Sequence, residues 1–171
     1  MAKPSSSRKP TKKPKNLSFL ERVLVSGVLA GTAAAIAVSL AGRREQGAYA
    51  APLNATSHIV WGDAAARRNE VSVKYTATGT LLHYGAALFW AALYESLPGR
   101  APIRAALTAA TAYVVDYHVV PRRLTPGFEL RVSPVALAAV YGALALGFWA
   151  SSLVVSAHVP EEQLVRRGVV A

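Results

Sequence analysis

Few side chains in this sequence could do chemistry, and several of those that could interrupt long apolar stretches. The segment AYVVDYHVVPR ends an apolar run with Asp116 and His118. His83 lies inside another apolar run, and His58 and Asp63 lie in the loop before it. Imidazole and carboxylate groups serve in proteins as metal ligands, as proton carriers and as general acids or bases. These residues are therefore the first candidates for a functional site.

Long apolar stretches must position these residues. No ionisable side chain occurs from Val23 to Gly42, and about 20 apolar residues are enough for a helix to cross a bilayer. Ser133 and Pro134 suit the N-cap and the first position of a helix. The sequence predicts an all-α fold, an integral membrane four-helix bundle, with spans at about residues 20–41, 75–97, 101–120 and 134–158.

Basic residues are concentrated at the N-terminus, which holds six of the 19 and no acid before residue 17. The Pro, Ser and Lys content predicts a disordered cytoplasmic tail over residues 1–18. Its Lys and Arg residues favour contact with anionic lipid headgroups. Nucleic acid is a less favoured partner, because no aromatic residues are interleaved and an apolar block follows directly.

A cleavable signal peptide is the alternative interpretation of this end of the chain. Ala48, Tyr49 and Ala50 resemble the small-residue pattern of a cleavage site. The apolar run before them is about 20 residues long, whereas the apolar region of a signal peptide has roughly 7–15 residues. We therefore expect the first apolar stretch to be retained as a span.

The basic residues near the span ends predict the topology. With a cytoplasmic N-terminus, eleven basic residues lie on the inner side and eight on the outer side. This arrangement places the C-terminal tail, residues 161–171, in the cytoplasm as well. Residues 48–74 become an outer loop, in which Pro52 and Asn54 could begin a short helix that lies at the interface or re-enters the membrane.

This topology draws the polar groups toward the outer half of the membrane. His83 would lie about 12 Å below the outer end of its span, from eight residues at 1.5 Å each, and it shares a helix face with Tyr94. The predicted polar cluster comprises His58, Asp63, His83, Tyr94, Asp116, His118 and Arg122.

Metal binding by His58, His83, His118 and Asp116 is one interpretation of the cluster. The alternative is a set of structural contacts. Asp116 would form an ion pair with Arg122 or Arg123 or a hydrogen bond to a neighbouring helix, and a neutral His83 would bond to a tyrosine or a backbone carbonyl. No HExxH or other known ligand spacing occurs, and the chain has no cysteine. On a regular helix Asp116 and His118 also point about 200° apart. The sequence therefore predicts no metal and no cofactor.

Small residues recur at four-residue intervals in two of the predicted spans, and such ladders let membrane helices approach closely. The expected packing residues are Gly27, Gly31 and Ala35 in the first span and Ala139, Ala143 and Gly147 in the fourth. The contacts could lie within one chain, within a homo-oligomer or with another membrane protein.

Three stretches, NATSHIVWGDAA, HYGAALFWAALYE and VDYHVVPRRLTPGFE, resemble a family of short multi-span bacterial inner-membrane proteins with no established activity. They cover about a quarter of the chain and flank the polar positions named above. The resemblance implies a bacterial inner-membrane setting, and it implies no catalytic residue, ligand or cofactor.

The sequence supports three functional hypotheses. A non-enzymatic accessory, assembly or structural membrane component is the first, and absence of a catalytic motif favours it. A small oligomeric transporter or channel-like protein with an outer-half polar cavity is the alternative. A membrane enzyme with an outer-face His/Asp site is the third.

Overall fold

The structure is a computed structural model that describes residues 16–157. All regular secondary structure in this part of the chain is helical, and no strand occurs in it. The all-α prediction is therefore confirmed. The predicted tails at residues 1–18 and 161–171 lie almost wholly outside the described residues, as does His158 at the expected end of the fourth span.

The α-helices are numbered in chain order over the described residues. They are α1 (Phe19–Gln46), α2 (Ala51–Thr56), α3 (His58–Trp61), α4 (Asp63–Ala66), α5 (Thr78–Ser96), α6 (Ala101–Val114) and α7 (Pro134–Ser156). One π-helical turn, Val73–Ala77, leads into α5, and another, Val115–Val119, extends α6. Two 3₁₀ turns, Arg122–Leu124 and Phe128–Leu130, connect this extension to α7.

Helix α1 begins and ends at residues suited to those positions. The Ser18 side chain accepts from the Glu21 backbone, and the Glu21 carboxylate accepts from the Ser18 backbone, which satisfies free N–H groups at the helix start. The helix continues past the predicted end at residue 41 and ends at Gln46. Gly47, at φ 72°, supplies the left-handed conformation that terminates it. Arg43 and Arg44 therefore belong to the last turn, where their charges complement the helix dipole.

The start of α7 is fixed by the end of α1. Ser133 is the N-cap of α7, and its hydroxyl accepts from the Ala136 backbone. The Glu45 carboxylate accepts from both the backbone N–H and the hydroxyl of Ser133, at 2.6 and 2.9 Å. This contact joins two helix ends that lie 88 residues apart in the chain.

The four longest helices pack side by side in alternating directions. Helix α1 contacts α5 on one face and α7 on another, and α7 also contacts α6. The core between them contains Ala30, Ala34 and Val38 of α1 and Leu144 and Phe148 of α7, all nearly inaccessible to solvent. Small core residues on α1 allow close approach of α7.

Two of the described helices, α1 and α7, are long and apolar enough to cross a membrane. Helix α6 has only 14 α-helical residues, short of the approximately 20 that a span requires, and the predicted second span is α-helical only from Thr78. The π turns at residues 73–77 and 115–119 account for the difference from the predicted boundaries.

The first connection contains α2, α3 and α4 rather than one short helix. Helix α2 is buried against α1 and α5 instead of lying on the surface. Its anchor is Asn54, whose amide donates to the carbonyls of Arg68 and Glu70 while its oxygen accepts from the Thr76 hydroxyl. Trp61 is partly exposed at the end of α3.

Candidate functional site

The structure brings His83 and Asp116 into one partly open cavity of about 260 Å³. Helix α5 supplies His83, the π turn after α6 supplies Asp116, and α7 supplies Tyr141. Most of the remaining lining is apolar and includes Trp90 and Phe128. We call this space the His83–Asp116 cavity.

Both ionisable groups of the His83–Asp116 cavity have partners within the protein. His83 is 9% exposed, and its Nε2 lies 2.8 Å from the carbonyl oxygen of Gly31, so this nitrogen carries the proton and donates it. The Asp116 carboxylate accepts from the Tyr141 hydroxyl at 2.7 Å. One Asp116 oxygen and the His83 Nδ1 remain available to accept a hydrogen bond from a ligand.

Tyr141 belongs to an aromatic cluster that the sequence analysis missed. Its ring meets those of Tyr113 and Tyr117 edge to face, with centroids 5.4 and 5.9 Å away. The four-residue spacing of Tyr113 and Tyr117 on α6 and its extension was the available signal. This cluster fixes the position of Asp116 through the Tyr141 hydrogen bond.

Three other members of the predicted cluster, His58, Asp63 and Arg122, line a separate cleft of about 870 Å³. His58 is buried, and its Nε2 lies 2.9 Å from the carbonyl oxygen of Thr125. Because Arg67, Arg123 and Arg131 also line this space, we call it the arginine cleft. The predicted cluster is therefore divided between two sites.

Tyr94 and His118 belong to neither site. Tyr94 lies eleven residues beyond His83 on α5, about 16 Å at 1.5 Å per residue. It is fully buried, stacked on Phe148 and contacted by the Arg104 guanidinium at 4.6 Å from the ring centre. His118 is exposed and contacts Tyr113. The expected inclusion of these two residues in one polar cluster is therefore wrong.

No group of three or more His, Asp or Glu side chains in residues 16–157 is arranged to hold a metal ion. His58 lines the arginine cleft, His83 and Asp116 line the other cavity, and His118 faces outward. In this part of the chain Asp116 forms no ion pair with Arg122 or Arg123. It accepts a hydrogen bond from Tyr141 on the neighbouring helix α7, which is the other structural contact predicted for it.

A buried polar network at the opposite end of α5 was not predicted. The Glu95 carboxylate accepts from the Arg22 Nε at 3.1 Å and from the Ser26 hydroxyl at 2.5 Å. The Ser26 oxygen also lies 2.8 Å from that of Ser151 on α7. This network connects α1, α5 and α7 through side chains that are far apart in the sequence.

The predicted packing residues occupy different environments. A Cβ on Gly27 would lie 3.0 Å from the Leu88 Cα, and one on Gly31 would lie 3.0 Å from the Ala87 Cβ, so α1 approaches α5 closely at both. A Cβ on Gly147 would lie 2.4 Å from the Ala30 Cα, at the contact of α7 with α1. The other three positions are less enclosed: Ala35 and Ala143 are half-buried and Ala139 is exposed.

Residues 16–157 form an all-helical structure with two span-length apolar helices, a partly open cavity and a basic cleft. Comparisons of the chain with protein-family models, with curated proteins and with solved structures found no match.

Proposed function

We propose that this chain is a non-enzymatic integral membrane protein with four spans, acting as an accessory, assembly or structural component. The observation that carries the proposal is an exposed apolar surface on all four long helices. Large apolar side chains with more than a third of their surface exposed are Leu24, Val28, Ile36, Leu40, Leu81, Phe89, Ile103, Leu107, Leu146, Trp149 and Leu153. A soluble protein of this size rarely exposes so many large apolar side chains on its helices.

The burial of α1 and α7 supports a lipid-facing role over a soluble core. Only 39% of the most apolar 18-residue stretch of α1 is buried, and only 28% of the corresponding stretch of α7. A central helix of a soluble protein would be mostly buried. Exposed apolar residues on these helices find suitable surroundings in the hydrocarbon of a bilayer.

Helices α5 and α6 reach span length when their π turns are included. Residues 73–96 and 101–119 comprise 24 and 19 residues, or about 36 and 28 Å at 1.5 Å each. The bilayer core is about 30 Å thick. Both segments keep their backbone groups hydrogen-bonded along the helix, as a span requires.

A bacterial inner membrane and cytoplasmic termini complete the proposal. They rest on the three stretches that resemble bacterial inner-membrane proteins and on the excess of basic residues assigned to the inner side.

The structural role is supported by how the buried polar groups of the helices are used. His83 donates to Gly31, Asp116 accepts from Tyr141, and Glu95 accepts from Arg22 and Ser26. Each contact joins two different helices. These groups thus hold helices together in place of the hydrophobic driving force that lipid does not supply.

The His83→Ala variant tests this structural role. We expect it to lose about 1–3 kcal/mol of unfolding free energy, because it removes the hydrogen bond that joins α5 to α1 and leaves a void where the buried imidazole lay. The measurement is unfolding of the purified protein in mixed micelles. The control is His118→Ala, which removes an exposed imidazole and should change stability by less than about 0.5 kcal/mol. Equal stability of the two variants would contradict the structural role of His83.

A transporter or channel-like function is the second candidate, because His83 and Asp116 share the His83–Asp116 cavity. It predicts pH-dependent proton or cation movement in proteoliposomes that the Asp116→Asn variant abolishes. If the native protein moves neither, this candidate is eliminated.

A further inference from the structure

The arginine cleft has an excess of positive charge. Four guanidinium groups line it, those of Arg67, Arg122, Arg123 and Arg131, against the carboxylates of Asp63 and Glu129. Glu129 accepts a hydrogen bond from the Thr125 hydroxyl at 2.7 Å. Within residues 16–157, only Arg22 and Glu95 form an ion pair, and they lie outside this cleft. The cleft therefore has four cations for two anions and no internal salt bridge.

Several hydrogen-bond donors of the cleft have no acceptor. The side chains of Arg67, Arg122 and Arg123 are exposed and bond to no described residue. One further donor lining the cleft, the Nε of Arg131, is buried and has no hydrogen-bond partner within residues 16–157. Guanidinium groups only donate, so a ligand that fits these groups is an acceptor that carries negative charge.

The walls of the cleft hold these donors in place. Arg131 donates through its terminal nitrogens to the Ala66 carbonyl and to the Asn69 side chain, which holds its guanidinium in place on this wall. His58 and Thr125 are joined on another wall at 2.9 Å. The cleft is thus formed by α3, α4 and the segment before α7, and its volume of about 870 Å³ exceeds that of a few water molecules.

We propose that the arginine cleft binds a phosphate group carried by a small organic molecule or a lipid. A phosphate monoester has a charge of about −1.5 to −2 at neutral pH and three acceptor oxygens. It matches the two uncompensated guanidinium charges and the several free donors. Arginine suits this ligand because its planar fork donates two parallel hydrogen bonds to phosphate.

A phospholipid headgroup and a soluble phosphate monoester are the two sources of this chemistry. Leu130 lines the cleft and is exposed, and Val119 and Leu124 are exposed in the same chain segment, so acyl chains could lie beside a bound headgroup. The lipid source rests on the proposed membrane setting, whereas phosphate binding by the cleft does not.

The test measures binding to the full chain in neutral detergent by titration calorimetry with three probes. Dihexanoyl phosphatidic acid carries a monoester on a lipid, glycerol 3-phosphate carries it without acyl chains, and dihexanoyl phosphatidylcholine has a zwitterionic headgroup. The variant is Arg122→Gln/Arg123→Gln. The control is Arg44→Gln/Arg100→Gln, which removes the same charge from exposed arginines outside the cleft.

We expect phosphatidic acid to bind with a Kd at least about tenfold lower than that of phosphatidylcholine, and the Arg122/Arg123 variant to weaken this binding at least about tenfold. The control variant should bind like the native protein. If glycerol 3-phosphate binds about as tightly as phosphatidic acid, the natural ligand is a soluble phosphate monoester. If phosphatidic acid binds and glycerol 3-phosphate does not, the natural ligand is a lipid. Equal effects of the two double variants, or no preference for the phosphate monoester, would overturn the proposal.

Discussion

The Gly79→Ala variant is expected to be severely destabilised, losing about 3 kcal/mol of unfolding free energy. Helix α5 passes the backbone of α2 at this glycine, and a Cβ there would lie only 1.7 Å from the Leu53 carbonyl oxygen. The obstacle is backbone, so no side-chain rotation can relieve it. Helix α2 must move, and the three hydrogen bonds of Asn54 that hold it would be strained.

The Gly85→Ala variant is the matched control for this prediction. Gly85 lies on the same helix, and a Cβ there meets no atom within 4 Å. Alanine at that position should leave stability unchanged or raise it by up to about 1 kcal/mol, because glycine is the weaker helix former. Chemical unfolding of both variants in the same micelles provides the comparison. Equal stability of the two would show that α2 does not pack against Gly79 as described.

The Arg22→Met variant is expected to lose about 3 kcal/mol of unfolding free energy, because it leaves the Glu95 carboxylate buried without its cation. The Glu95 side chain is 6% exposed, and Arg22 supplies its charged partner at 3.1 Å. The hydroxyl of Ser26 alone would remain to solvate it. This penalty is larger than the loss of one surface ion pair, which is at most about 1 kcal/mol.

The double variant Arg22→Met/Glu95→Met separates this cause from a general effect of altering α1. With both charges removed, the site becomes apolar, and most of the lost stability should return. Arg44→Met provides the control, since Arg44 is an exposed arginine on the same helix and should tolerate the change within about 0.5 kcal/mol. A double variant no more stable than Arg22→Met alone would contradict the assigned role of the ion pair.

Helix content was predictable from the sequence because it depends on local features. Long apolar blocks, the Ser133–Pro134 start and the Pro98–Gly99 break between α5 and α6 all lie within a few residues of the structure that they determine. The π turns next to α5 and α6 were not predictable, since nothing in the apolar pattern distinguishes them from ordinary helix. The helix ends therefore shifted by several residues.

Burial of α2 depended on contacts that sequence spacing does not reveal. Asn54 reaches carbonyls 14 and 16 residues away, and the space for its helix exists only because residue 79 is glycine. The shortness of the segment and the presence of Trp61 had suggested a helix that lies at the interface or re-enters the membrane. The hydrogen bonds of Asn54 to Arg68, Glu70 and Thr76 instead satisfy its side chain in the interior.

The division of the predicted polar cluster into two sites was also not predictable, because it depends on contacts that sequence spacing does not reveal. The depth of His83 and Asp116 along their helices could be estimated from the rise per residue, but the rotation of each helix about its axis could not. Rotation places Asp116 toward Tyr141 and His118 outward. Likewise, the pairing of Arg22 with Glu95 joins residues that are 73 positions apart, for which no local signal exists.

The central claim, that all four long helices face lipid, is tested most directly on α5 and α6. The chain has no cysteine, so single spin labels can be placed at Phe89 and Leu107, which are 67% and 58% exposed. Val71, 80% exposed in the connection before α5, is the reference for water. The measurement compares relaxation of each label by oxygen, which concentrates in lipid, and by a water-soluble nickel chelate.

We predict that labels at positions 89 and 107 in proteoliposomes are relaxed mainly by oxygen, whereas the label at position 71 is relaxed mainly by the nickel chelate. This result would place α5 and α6 in the bilayer beside α1 and α7. Nickel relaxation at positions 89 and 107 as strong as at position 71 would contradict the four-span account.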